Sequence, residues 1–305
     1  MGLKIIFMGT PEFAVPSLKI LLDHGYSIVG VITATDKWGG RGGKTLIESP
    51  VKRFAQRHNL NILQPPNLKD PEFIKELKSL NADLQIVVAF RMLPEIVWNM
   101  PPLGTYNLHA SLLPKYRGAA PIHWAVIHGE KETGLTTFKL QHEIDTGSIL
   151  FQESMPILHT DTTGDVHDRM MPVGAELVLK TVKAIDSGHV FLVKQDEAQV
   201  CKAPKLSKEL AKIEFEQDVV SVYNFIRGLS PFPGAWTMLD GKIFKIYFAE
   251  YEYFSGNNSK KPGEITISQT DFMQITCLDG IIRPVDVQLE GKKRMPINEF
   301  VNGYL

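Results

Sequence analysis

Asn107 and His109 stand two residues apart in Tyr106-Asn107-Leu108-His109-Ala110, directly before Ser111-Leu112-Leu113-Pro114 and the basic Lys115-Tyr116-Arg117-Gly118. A carboxamide donates hydrogen bonds without changing charge, and an imidazole gains and loses a proton near neutrality. Together they suit acyl transfer, in which negative charge grows on a carbonyl oxygen and a departing nitrogen needs a proton. Asp145, in Gln141-His142-Glu143-Ile144-Asp145-Thr146-Gly147, is the carboxylate that would orient the imidazole. On local spacing alone it reads equally well as an Asx turn ahead of Gly147.

These side chains need a frame. If Tyr106–His109 is a strand, period-two alternation sends Asn107 and His109 out of one face. They then lie at a strand's carboxyl end, where open α/β sheets hold ligands. The first half alternates accordingly: strands at 4–7, 27–33, 62–63 and 84–89, and helical patterns after Pro11, at 50–58 and at 71–80. Residues 133–140 alternate as a further strand. Repeated strand-helix-strand units imply a Rossmann-like, doubly wound, mostly parallel sheet. Gly9-Thr10-Pro11 stands where a dinucleotide fold carries GxGxxG, so no dinucleotide is expected. A helix over 166–187 contains Pro172, which predicts a kink or break. Residues 1–188 thus read as one domain and 189–206, without clear period, as a linker. Residues 207–305 hold a helix at 219–229 and short strands at 235–239, 243–253, 263–267, 273–277 and 285–289. That pattern predicts a smaller OB-like β-barrel.

A chain of 305 residues is long for one domain and comfortable for two. Its 44% hydrophobic and 22% charged content is that of a globular protein, and no apolar run is long enough to span a membrane. No secretory signal is apparent, and Cys201 and Cys277 form no CxxC, so a cytoplasmic protein with reduced thiols is expected. A net charge of −1 argues against broad coating of nucleic acid, and residues 200–305 carry as many basic as acidic side chains; any RNA surface is a local patch. No ligand spacing for a metal, no GxxxxGK[ST] loop and no GxSxG elbow is present.

Asn…His…Asp in this order, with HxSLLPxxxG and the Asp-Thr-Gly loop, resembles the formyltransferases that use 10-formyltetrahydrofolate. The resemblance covers nearly the whole chain. Phe7–Pro16, Arg117–Ile122, Ala203–Leu206, Ser230–Ala235 and Gly291–Met295 fit the branch of that family that acts on charged initiator tRNA. It implies catalytic roles for Asn107, His109 and Asp145, with 10-formyltetrahydrofolate as donor, no metal, and initiator methionyl-tRNA as acceptor. A monomer is expected.

The resemblance also places a folate site at Phe90, Arg91, Met92 and Leu93 and at Ser111, Leu112, Leu113 and Pro114. The family more usually has Tyr-Gly at Phe90-Arg91, so Arg91 is a departure. The Gly-rich loop Asp36–Lys44 is the expected wedge for the acceptor stem, with Arg41 and Lys44 as its cations; Trp38 departs from the usual Arg-Pro-Ala there. Lys205, Lys208, Lys245, Lys292, Lys293 and Arg294 would hold the tRNA body. Two rivals predict other features. A sugar-nucleotide formyltransferase would carry a different loop at 37–44 and Arg after Arg117-Gly118. A non-catalytic RNA-binding relative would have no need of all three of Asn107, His109 and Asp145.

Overall fold

The computed structural model describes residues 2–39, 43–256, 259–268 and 272–304. Contacts divide them into two units, each assembled from several segments. The first comprises Met1–Arg117, Gly134–Met155 and His167–Lys202, and the second Gly118–Thr133, Pro156–Val166 and Ala203–Leu305.

The first unit is built on a seven-stranded sheet. From edge to edge the strands are Ile149–Pro156, Glu132–Lys139, Thr105–His109, Leu84–Val88, Lys4–Gly9, Ser27–Ile32 and Ile62–Leu63. The five strands from Thr105–His109 to Ile62–Leu63 are mutually parallel, and Glu132–Lys139 runs antiparallel to Thr105–His109. Leu84–Val88 is buried at every position, as befits a strand covered on both faces. Helices start where the sequence offers caps: Ser49 accepts from Lys52 N ahead of Pro50–Arg57, and Asp70 from Glu72 N and Phe73 N ahead of Pro71–Ser79.

The long helix runs unbroken from Thr163 to Asp186, so the break expected at Pro172 does not occur. Pro172 is exposed, so water can satisfy the carbonyl its missing N–H leaves free. A reciprocal cap starts the helix, with Thr162 N donating to Asp165 at 2.8 Å and Asp165 N donating to Thr162 Oγ1 at 3.2 Å.

In the second unit, Ala235–Leu239, Lys242–Tyr253, Gly280–Leu289, Met273–Thr276 and Ile265–Ile267 pair in that order, and Met295–Pro296 adds to Gly280–Leu289. All pairs are antiparallel. Register shifts between Ile246 and Phe248 and between Phe248 and Ala249 bend the long strand, curling the sheet into an OB-like half-barrel. The helix Val219–Gly228 closes the core with Val219, Val222 and Ile226. The last long strand begins at Gly280, five residues before the sequence-based limit. A Cβ at Gly280 would sit 2.3 Å from the Glu252 carbonyl, so this glycine permits close pairing rather than marking a turn.

Candidate active site

In the first unit, Asn107 lies opposite Val87 on one side and Phe138 on the other, and His109 opposite Thr136. Leu108 points to the reverse face. There a Cβ added to Gly174 of the long helix would come within 2.8 Å of Leu108 Cδ2. Glycine therefore lets the helix back pack against the strand that carries the two polar side chains.

His109 is buried, with Nε2 2.9 Å from the carbonyl oxygen of Tyr116. A carbonyl only accepts, so the acceptor assigns the hydrogen to Nε2. Nδ1 faces Asp145, whose Oδ2 is 3.8 Å away, an ion-pair separation rather than a direct hydrogen bond. Asp145 sits in the loop after Lys139 with φ 55°, a backbone conformation uncommon outside glycine. Asn107 is half-buried, and none of the described residues takes up its carboxamide in a hydrogen bond. One strand face thus presents a donor amide beside an imidazole that is anchored at one nitrogen and faced by a carboxylate at the other.

The Ser-Leu-Leu-Pro turn is tied down by the neighbouring strands. Thr136 Oγ1 donates to Ser111 O at 2.6 Å and accepts from Leu113 N at 3.1 Å. Gln152 Nε2 donates to Leu113 O at 2.9 Å and to Thr136 Oγ1 at 3.0 Å. The Ser111 hydroxyl turns to Lys115 O at 2.6 Å, and Leu113 and Pro114 are buried. Only Leu112 of this turn keeps partly exposed apolar surface. Thr136 and Gln152 had no sequence signal, because each works through a partner distant in the chain.

Arg91, Met92 and Leu93 line a cleft of about 720 Å³ together with Asn67, Lys69 and Ile96, while Ser111–Pro114 do not line it. Phe90 packs against the adjoining core instead. Arg91 donates to the carbonyls of Pro65 and Pro66, which accounts for a side chain the family pattern does not lead one to expect.

Arg41 lies outside the described residues, whereas Lys44 is exposed beside the hairpin Lys37–Gly39/Thr45–Ile47. Trp38 of that hairpin is 72% exposed. In the second unit, Lys205, Lys208 and Lys245 do come together, lining a cleft of about 650 Å³ with His123, Phe232 and Trp236. Lys292, Lys293 and Arg294 are not in its lining. Arg294 is held by Asp286 through Nε at 2.8 Å and stacks over Tyr247 at 4.3 Å. Among the described residues no group of three or more His, Cys, Asp or Glu side chains could hold a metal, and no helix is long and apolar enough to cross a membrane.

A formyl transferase family model matches residues 3–182, and a formyl transferase C-terminal-domain model matches residues 205–305. The chain belongs to the formyl transferase family. Relatives of this formyl transferase include a methionyl-tRNA formyltransferase of Azobacteroides pseudotrichonymphae, 51% identical over 98% of the chain and 95% of the relative. Another, from Phocaeicola vulgatus, is 54% identical over 99% of the chain and 96% of the relative. Among solved structures, the sugar 3N-formyl transferase WlaRD, in the presence of dTDP and 5-N-formyl-THF, shares the fold. It has a TM-score of 0.69 at 21% identity, over 96% of this chain and all 100% of that one. HypX from Aquifex aeolicus in complex with tetrahydrofolic acid aligns with a TM-score of 0.66 at 18% identity, over the whole chain and 48% of its own length.

Proposed function

We propose that this enzyme transfers the formyl group of 10-formyltetrahydrofolate to the α-amine of initiator methionyl-tRNA, giving N-formylmethionyl-tRNA for translation initiation. Whole-chain relatives at 51% and 54% identity are named for that substrate. A folate-type donor is supported by neighbours whose structures are described with 5-N-formyl-THF and tetrahydrofolic acid. The cleft at Arg91–Leu93 fits such a donor. Met92, Leu93 and Ile96 offer apolar surface to a flat ring, and Lys69 and Arg91 offer cations to an anionic tail.

The observation that carries the chemistry is the convergence of Asn107, His109 and Asp145. The amine attacks the formyl carbon, and the carbonyl electrons move onto oxygen. The Asn107 N–H donates to that oxygen as charge develops. His109 holds a proton on Nε2, kept by Tyr116 O until substrate oxygen or nitrogen replaces it. With Nδ1 also protonated towards Asp145, the ring passes its Nε2 proton to the departing folate nitrogen. The neutral imidazole left behind takes one at Nε2 from the attacking amine, so the ring ends as it began. Asp145 orients the ring and stabilises its charged form. Residues 207–305, with Lys205, Lys208 and Lys245 at the cleft, carry the tRNA.

Labelled 10-formyltetrahydrofolate offered with charged initiator tRNA and an amino-sugar nucleotide side by side tests this. Formyl-methionyl-tRNA as the product, lost in His109→Ala, supports the reading. Transfer to the sugar alone overturns the acceptor, and no transfer to either overturns the enzyme.

A further inference from the structure

Gln195 lies 50 residues beyond Asp145 in sequence, yet its side-chain amide donates to the carbonyls of both Asp145 and Gly147 at 2.8 Å. It is 4% exposed. Its oxygen accepts from Arg117 Nε at 3.0 Å and Arg117 Nη2 at 2.7 Å. Both donors and both acceptor sites of the amide are therefore used. Arg117 is gripped in turn by Glu197, with Nη1 to Oε2 at 3.0 Å and Nη2 to Oε1 at 2.8 Å. That guanidinium holds the Glu197 carboxyl below its ordinary value.

We propose that Gln195 is a positioning residue for formyl transfer: it fixes the 145–147 backbone so that the Asp145 carboxylate faces His109, and Arg117 sets which way round the amide lies. Three features of the loop create the need. Asp145 holds φ 55°, a left-handed conformation uncommon outside glycine, which carries a cost that the surroundings must offset. Gly147 runs so close to the Lys139 carbonyl that a Cβ would lie 1.8 Å from it, so the loop must be held at a separation that only glycine allows. The loop between Lys139 and Ile149 has no regular secondary structure to hold it. With Asp145 Oδ2 already 3.8 Å from His109 Nδ1, a slip of the loop away from the ring weakens the pairing further. The Arg117 fork also removes the ambiguity of an amide. Arginine can face only the oxygen, so the NH₂ must face the two carbonyls.

This rests on His109 and Asp145 being the proton-handling pair, and the test separates the two. Gln195→Glu keeps the shape and gains charge attraction to Arg117, but turns both donated bonds into oxygen–oxygen repulsions. Gln195→Met keeps the shape and loses all four bonds. We expect Gln195→Glu to lower kcat about 10²-fold, the scale of a misplaced catalytic group, with both KM values within about threefold. We expect little further loss when it is combined with Asp145→Asn. Gln195→Met is expected to lower kcat in the same direction. A residue that served only to anchor Arg117 would be rescued by glutamate. Wild-type kcat in Gln195→Glu, or losses that multiply fully with Asp145→Asn, overturns the proposal. Hydrogen exchange across 140–148 reads the loop with no substrate present and needs no assumption about the reaction. Faster exchange in Gln195→Glu is expected, and unchanged exchange in both variants also overturns it.

Discussion

The His109 imidazole is bracketed by two acceptors, the Tyr116 carbonyl 2.9 Å from Nε2 and the Asp145 carboxylate 3.8 Å from Nδ1. The ring is already aligned, so in the proposed reaction substrate would not have to rotate it and would only displace the carbonyl from Nε2. Pre-alignment of this kind is where an active site gains most over water.

Removing the carboxylate's charge while keeping its shape should therefore cost turnover and not folding. Asp145→Asn is expected to reduce kcat by about 10² or more, with the thermal midpoint within a few degrees of wild type. Steady-state kinetics and a melt on the same preparation decide it. Near-normal turnover would leave Asp145 only its alternative part as a turn residue.

The Asn107 carboxamide makes no hydrogen bond with a described residue, so its truncation should leave the protein's stability almost untouched. As a donor to the developing oxyanion it is expected to contribute about 10²–10³ in rate. Single-turnover formyl transfer by Asn107→Ala should fall by that factor at saturating donor and acceptor. A loss confined to KM would assign Asn107 to binding instead.

Thr136 is fully buried and its hydroxyl serves Ser111 O, Leu113 N and Gln152 Nε2 at once. Thr136→Val has nearly the same volume but leaves Ser111 O and Leu113 N without this partner, while Gln152 Nε2 keeps Leu113 O at 2.9 Å. Buried groups left unpaired cost about 1–3 kcal/mol each, so we expect a loss of about 3 kcal/mol in urea unfolding. A loss below about 1 kcal/mol would show that the turn relaxes and finds other partners.

What could be read from sequence follows from the range of the interactions concerned. Asn107 and His109 share a face by a two-residue rule, and the buried run Leu84–Val88 announces itself by composition. The residues that hold the site in place are invisible locally, since Ser111 and Thr136 are 25 apart, Leu113 and Gln152 39, and Asp145 and Gln195 50. The edge strand Ile149–Pro156 escaped because Gln152, Glu153 and Ser154 interrupt its alternation with three exposed positions in a row. The final helix Ile297–Tyr304 escaped for a similar reason, as Asn298, Asn302 and Gly303 are poor helix formers. Phe300 and Val301 anchor it to the core, which is a tertiary cause.

Lys205 and Lys208 are exposed and line the cleft of the second unit. If they meet phosphates, each should steepen the salt dependence of tRNA binding by roughly one unit in a log–log plot. The double variant Lys205→Ala/Lys208→Ala should raise the tRNA KM at low salt and flatten that plot by about two units, with kcat at saturating tRNA unchanged. An unaltered slope would mean the two lysines are merely solvated.

Cys277 provides a check on the core of the second unit that is independent of catalysis. Its thiol is 1% exposed, and burial, reinforced by Asp279 and Asp218, pushes it up to about 12. In the unfolded chain a thiol titrates near about 8.5. The folded state thus holds the proton more tightly, and this contribution is complete below the unfolded value and lost as pH climbs towards 12. The loss approaches about 1.4 kcal/mol per pH unit. Tyrosines and lysines titrate in the same range, so the informative quantity is the difference in unfolding free energy between wild type and Cys277→Ala. That difference should be constant up to about pH 8 and then fall steadily through about pH 10. A difference that stays flat would mean the folded core accommodates the thiolate, either by admitting water or by moving Asp218 and Asp279 away.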